Sequence, residues 1–170
     1  YKRQNTRWSP WFVKPQSEGL NVVSWNTQAL MGRSPTRRTI KRSILLPYLR
    51  QRTLIALQET RGNFADIQNF VDSAKHPYIA FHSAFIENNE PSETAGGISF
   101  LVPYDKCELG LPADRRPVRD FRPLVHGRIS ELRVTDADGM HETTIFNVHN
   151  HELSPNDRSI FKVAWDDAQA

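Results

Sequence analysis

A layered α/β domain is expected from three features of the chain. Short apolar, β-branched runs read as buried strands, amphipathic helical segments fall between them, and a series of further strands fills most of the second half. The implied order is strand, helix, strand, helix, four strands, helix. At 170 residues, with 38% hydrophobic and 24% charged residues, the chain accommodates one domain and is neither fibrous, collagenous nor wholly disordered.

Residues 1–18, YKRQNTRWSPWFVKPQSE, mix cations, prolines and tryptophans without periodicity and are expected to be a flexible basic arm, with the folded domain spanning 19–170. Leu20 to Trp25 (LNVVSW) is the first buried strand, followed by Asn26-Thr27 and a turn through Met31-Gly32-Arg33-Ser34-Pro35. Thr36 to Arg52 places Ile40, Ile44, Leu45 and Leu49 near one helical face. Arg37, Arg38, Lys41 and Arg42 take the rest of the surface, and Pro47 should kink the helix or make it re-form.

Thr53 to Leu57 (TLIAL) reads as a second buried strand that delivers Gln58-Glu59-Thr60. Asn63 can cap a helix with Phe64, Ile67, Phe70, Val71 and Ala74 on its apolar stripe, ended by His76-Pro77. Strands follow over Tyr78 to Phe85 and Ile98 to Val102, separated by the acidic loop Glu87 to Thr94 and by Gly96-Gly97. Pro103 to Pro123, with Arg115, Arg116, Arg119 and Arg122, reads as a long loop. Val125 to Thr135 and His141 to His149 form a hairpin around Asp136 to Gly139, and Ser154-Pro155 starts a last helix buried through Ile160, Phe161 and Ala164.

Charge is unevenly placed: residues 1–52 sum to +10 and the remainder to −7. Arg outnumbers Lys sixteen to six, which suits bidentate contact with phosphate, so a nucleic-acid partner is expected. The single cysteine, Cys107, excludes an intramolecular disulfide framework and a thiolate metal cluster. No apolar run approaches the roughly 18 residues of a membrane span, and an intracellular location, nuclear or cytoplasmic, is the default expectation.

The chemistry concentrates at strand ends: Asn26 after one strand, Glu59 after the next, Gly96-Gly97 before a third and Asn147-Val148-His149 closing a fourth. An amide and a carboxylate at the ends of neighbouring strands can converge on a hard cation, and a nearby histidine can serve a phosphate. In NVVSWNTQAL, LIALQET, AGGISFLV, GRISELRV and IFNVHNH, taken in that order, the chain resembles the endonuclease, exonuclease and phosphatase superfamily. That group includes pancreatic deoxyribonuclease, apurinic endonucleases and retrotransposon endonucleases. The look is closest to the endonuclease domains of non-LTR retrotransposons.

The resemblance implies a deoxyribonuclease-like fold, a layered two-sheet sandwich flanked by helices, and phosphodiester hydrolysis with Mg²⁺ or Mn²⁺. It implies Glu59 as the principal metal ligand, Asn26 as a second ligand that orients the metal or phosphate, and His149 as an acid or hydrogen-bond donor. Arg128, Arg33 and Asn147 are the expected substrate contacts. The family's later Asp-x-Asn and closing Asp-His pair have no counterpart here. Adjacent Asp166 and Asp167 point in different directions on a helix and do not replace them.

The expectation is therefore a domain truncated at its C-terminus, a fragment that opens on Tyr1 and is inactive and marginally folded alone, with fusion to further domains downstream left open. A zinc site at His149 and His151 is not expected, because no third ligand stands at suitable spacing. Two alternatives stay open: a phosphoesterase acting on a lipid or small phosphorylated molecule, and a catalytically dead remnant that binds nucleic acid or protein. Taken singly, Asn26, Glu59 and His149 each have an ordinary structural role open to them in turns and at strand ends.

Overall fold

The computed structural model describes residues 11–13, 21–104, 118–135 and 142–170. Cys107, Arg115, Arg116 and the turn at Asp136 to Gly139 lie outside these residues. Ten strands and three helices are described: β1 (Trp11–Val13), β2 (Val22–Asn26), α1 (Pro35–Arg50), β3 (Leu54–Gln58), α2 (Phe64–Ser73), β4 (Tyr78–Ser83), β5 (Phe85–Glu87), β6 (Glu90–Ser92), β7 (Ile98–Pro103), β8 (Val118–Val125), β9 (Ile129–Thr135), β10 (Glu142–Val148) and α3 (Pro155–Gln169). The fold is α/β, with several sheets flanked by the three helices.

The main sheet has the order β1-β2-β3-β7-β4, and a second sheet has the order β10-β9-β8. β2 and β3 run parallel, as a strand, helix, strand crossover through α1 requires, while the other pairs in the main sheet are antiparallel. Every residue of β3 is buried. Ile55 and Leu57 face Leu45, Leu49, Ile67 and Val71 of the helices, and Leu54 and Ala56 face Leu132 and Val134 of the second sheet. A strand with both faces covered must be apolar throughout, which is why LIAL does not alternate.

On the far side of the second sheet, α3 sets Phe161 and Trp165 against Phe146 of β10, with ring centroids 5.3 and 5.6 Å away. Ser34, Asn63 and Ser154 cap the three helices, the last two through reciprocal capping boxes with Asp66 and Asp157.

Several local expectations are corrected. Trp11–Val13, within the expected arm, pairs antiparallel with β2. β8 begins at Val118, inside the expected 103–123 loop, because β9 offers it a partner edge and two register shifts accommodate its one proline and its charges. The 87–94 loop contributes β6, which pairs with β5. Helix α1 does not stop and re-form at Pro47 but runs on through it. Its inner face is Lys41, Leu45 and Leu49, whereas Ile40 is 49% exposed. Lys41 displaces Ile40 from the interior because its ammonium has two carbonyls to satisfy there.

Candidate active site

Parallel pairing aligns Asn26 with Gln58, so the two strands deliver Asn26 and Glu59 to one edge of the main sheet. The loops beyond are stitched together by backbone hydrogen bonds from Thr27 N to Gln58 O (2.9 Å), Ala29 N to Glu59 O (2.7 Å) and Met31 N to Thr60 O (2.9 Å). Thr27 Oγ1 adds bonds to the carbonyls of Gln58 and Glu59 at 3.0 and 3.1 Å. Gly96-Gly97 enters the same edge, its carbonyls accepting from Arg61 N and Thr60 N.

Four non-glycine residues here adopt left-handed backbone: Gln28 (φ 48°), Ala29 (φ 68°), Glu59 (φ 52°) and Arg61 (φ 56°). Each conformation costs on the order of 1 to 2 kcal/mol and persists only where surrounding contacts impose it. Lys41 is one such contact. Fully buried, it donates from Nζ to Gln28 O (2.5 Å) and Ala29 O (3.0 Å), fixing the carbonyls of the strained pair. Burial holds its pKa below the ordinary lysine value, reinforced by Arg37 and Arg61 and opposed by Glu59.

The second sheet reaches the same edge through β9 and β10. His149 N donates to Arg128 O at 2.8 Å, and His149 Nε2 lies 3.0 Å from Glu59 Oε1. Burial lowers the His149 pKa, Glu59 opposes that shift, and Arg128 and His151 add to it. A carboxylate can only accept, so the neutral ring must carry its proton on Nε2, leaving Nδ1 as an acceptor. Nδ1 is buried and has no hydrogen-bond partner among the described residues. His151 stacks on His149 at 5.7 Å and is itself largely exposed.

Arg128 is buried, its guanidinium lying 4.3 Å over the Phe85 ring. A side chain at Gly96 (φ 60°) would place its Cβ 2.7 Å from Arg128 Nη1, so the glycine gives the guanidinium its berth. Arg128 Nη1 has no hydrogen-bond partner among the described residues. An unsatisfied buried N–H is costly and marks where an acceptor is wanted.

Asn26, half-buried, accepts from Gln28 N at 3.1 Å through Oδ1, which shapes the turn into the strained loop. Asn147, expected at the substrate, lies in the interior instead. Its Nδ2 donates to Leu57 O (3.0 Å) and Ser99 O (3.1 Å), and its Oδ1 accepts from Gln58 Nε2 (2.7 Å). Both amide protons are thereby spent in tying the two sheets together. Arg33 is exposed on the loop between β2 and α1.

Sequence reasoning passed over three polar residues beside the site. Lys41 had a visible signal, since it precedes Leu45 and Leu49 at four-residue spacing. His82 Nδ1 meets Ser99 Oγ at 2.7 Å, while His82 Nε2 and Thr60 Oγ1 are buried without partners among the described residues. Burial lowers the His82 pKa against opposing effects from the Gly62 backbone and Asp66. Nothing in the local pattern marks His82 or Thr60 as interior.

Among the described residues no group of three or more His, Cys, Asp or Glu is placed to hold a metal ion. Of the expected ligands, this edge carries the Glu59 carboxylate, whose side chain is 35% exposed, and the half-buried Asn26 amide, whose Oδ1 also accepts from Gln28 N. Hard oxygen donors of this kind, completed by water, suit Mg²⁺ or Mn²⁺. The His149 Nε2–H already gives the carboxylate one hydrogen-bond donor on its inner side, at 3.0 Å from Oε1.

The fold and this edge define an α/β protein with a carboxylate, imidazole and guanidinium site where two sheets meet. No protein-family model matches the sequence, and no curated protein is similar enough to count as a relative. No described helix is long and apolar enough to cross a membrane.

Proposed function

We propose that this protein is a metal-dependent phosphodiester hydrolase acting on nucleic acid, an endonuclease built on a deoxyribonuclease-like sandwich. The observation that carries this reading is the 3.0 Å approach of Glu59 and His149 from two different sheets, with Arg128 Nη1 buried and without a hydrogen-bond partner among the described residues. Each group suits one demand of phosphodiester cleavage.

Glu59 and Asn26 would hold Mg²⁺ or Mn²⁺. When bound, such a cation neutralises phosphate charge and makes bound water more acidic. Arg128, fixed on Phe85, offers its free N–H to a non-bridging phosphate oxygen, and the rigid berth removes the entropy cost of ordering a long side chain. His149, when Glu59 turns toward a cation, has its Nε2 proton free for a phosphate or leaving-group oxygen. Arg33, exposed on the adjoining loop, supplies a peripheral contact to the backbone.

The test is cleavage of supercoiled plasmid and of single-stranded DNA in Mg²⁺, for the full-length wild-type protein and its Glu59→Gln variant, with and without chelator. Turnover that chelator abolishes and Glu59→Gln lacks, with an unchanged melt, supports the hydrolase. Tight DNA binding without turnover would instead assign the basic surface to a binding protein. Undiminished cleavage by Glu59→Gln would remove this site from the reaction.

A further inference from the structure

Residues 27–58 contain seven Arg and Lys and no Asp or Glu. That imbalance gathers on α1, whose first turn has no acidic residue and whose Arg38 forms no ion pair among the described residues. Between α1 and α2 runs a groove of about 460 Å³, with Arg38 and Arg42 on one wall, Asp66 and Asn69 on the other, and Met31 and Phe70 on its floor.

The groove's position follows from the topology. α1 leaves the end of β2 and α2 leaves the end of β3, and these parallel strands end at the edge that carries Glu59. Both helices therefore start at that edge, and the Met31 N to Thr60 O bond joins the two loops at the groove's mouth. From Pro35 to Arg42 the groove extends about 10 Å along α1, at 1.5 Å per residue. Arg42 is held to the far helix by a bond from its Nη2 to Ser73 O, whereas Arg38 is exposed. Asp66, the groove's acid, is tied into the α2 cap, its Oδ2 accepting from Asn63 N at 3.0 Å.

We infer that this groove is a subsite for a single-stranded flank of the nucleic acid, lying outside the cleavage centre and leading away from it. The inference rests on the hydrolase reading for its substrate class. A concave site of this volume admits a nucleotide-sized group, while a duplex is too wide to enter and would meet only the outer cations. Arg38 takes a phosphate, the Met31 and Phe70 floor receives the apolar face of a sugar or base, and Asn69 offers an amide to a base edge.

The experiment measures fluorescence anisotropy of a labelled single-stranded oligonucleotide and of its duplex, across a salt series in chelator, where no metal-dependent cleavage proceeds. Arg38→Ala and Arg38→Glu are compared with Arg158→Ala, an exposed cation on α3. Single-strand affinity should fall roughly five- to tenfold for Arg38→Ala and further for Arg38→Glu, and the log–log salt slope should shrink by about 0.7, one phosphate contact. Duplex affinity, and both affinities of Arg158→Ala, should stay near wild type.

Equal losses on duplex and single strand, no loss at Arg38, or no binding of either nucleic acid would overturn the subsite. Parallel plasmid cleavage in Mg²⁺ separates the two claims. Cleavage with an indifferent Arg38 sinks the groove alone, and Arg38-dependent single-strand binding without cleavage sinks the hydrolase alone.

Discussion

Glu59 and His149, ninety positions apart in sequence, meet at 3.0 Å because β3 and β10 belong to different sheets that finish at the same edge. Glu59 is the more open member at 35% exposure and His149 the more enclosed at 11%, so a ligand arriving from solvent reaches the carboxylate first. His149→Gln keeps a side-chain N–H near Glu59 but cannot transfer a proton. If the hydrolase reading holds, its turnover should drop by roughly 10² to 10⁴ while its melt stays close to wild type. Single-turnover cleavage measures this, and a drop below threefold would remove His149 from the chemistry.

The edge itself was legible in sequence because each candidate follows a recognisable apolar or β-branched run: Asn26 after VVSW, Glu59 after LIALQ, His149 after IFNV. Strand ends are easy to find where both faces of a strand are covered. What could not be read was which polar residues turn inward. Asn147 and His149 share a strand face, yet one is spent on Leu57, Ser99 and Gln58 while the other reaches Glu59. That division depends on the facing sheet. Lys41 meets the same limit in part, since its spacing to Leu45 and Leu49 marks the inner face but only the folded loop supplies the two carbonyls that let an ammonium sit there.

Asn147→Leu tests the tie between the sheets. The substitution keeps roughly the volume but takes the side-chain donor from the Leu57 and Ser99 carbonyls and leaves Gln58 Nε2 only Ser24 Oγ (3.1 Å) and Ala56 O (3.4 Å). Each unsatisfied group costs about 1 to 3 kcal/mol, so a total loss of about 3 kcal/mol or more is expected in urea unfolding. Asn147→Asp should fare as badly, because two of its neighbours are carbonyl oxygens. A near-wild-type midpoint for either variant would show that this network carries little of the stability.

Glu131 predicts an acid dependence. Buried in β9, it accepts from Arg122 Nη2 at 2.9 Å and Arg133 Nε at 2.5 Å. Burial alone would raise its pKa, but the two guanidinium groups outweigh it and hold the carboxyl below the usual glutamate value. A depressed pKa contributes stability that is present above the unfolded value of about 4.3 and disappears as pH falls through the folded one. Glu131→Gln should therefore cost about 2 kcal/mol at pH 7, with two cations left facing each other, and the deficit should close in acid. Urea melts of both proteins at pH 7 and pH 3 measure it, and a deficit that persists unchanged at pH 3 would refute the charge-based account.

Two glycines give the last prediction, because they separate stability from the placement of Arg128. At Gly127 (φ 70°) a Cβ would stand 2.4 Å from the Phe85 Cα, and backbone there cannot yield, so Gly127→Ala should cost about 3 kcal/mol or more. At Gly96 the Cβ would instead meet Arg128 Nη1 at 2.7 Å and the Phe85 Cβ at 2.8 Å. The guanidinium is the movable partner, although the left-handed backbone at Gly96 adds about 1 kcal/mol of strain. Gly96→Ala should melt with a smaller loss than Gly127→Ala yet bind phosphate-bearing substrate more weakly, because Arg128 is pushed off the Phe85 ring. Thermal melts paired with KM for oligonucleotide cleavage test this. A Gly96→Ala protein with wild-type KM, or one less stable than Gly127→Ala, would show that Arg128 is not held in its working position by the missing side chain.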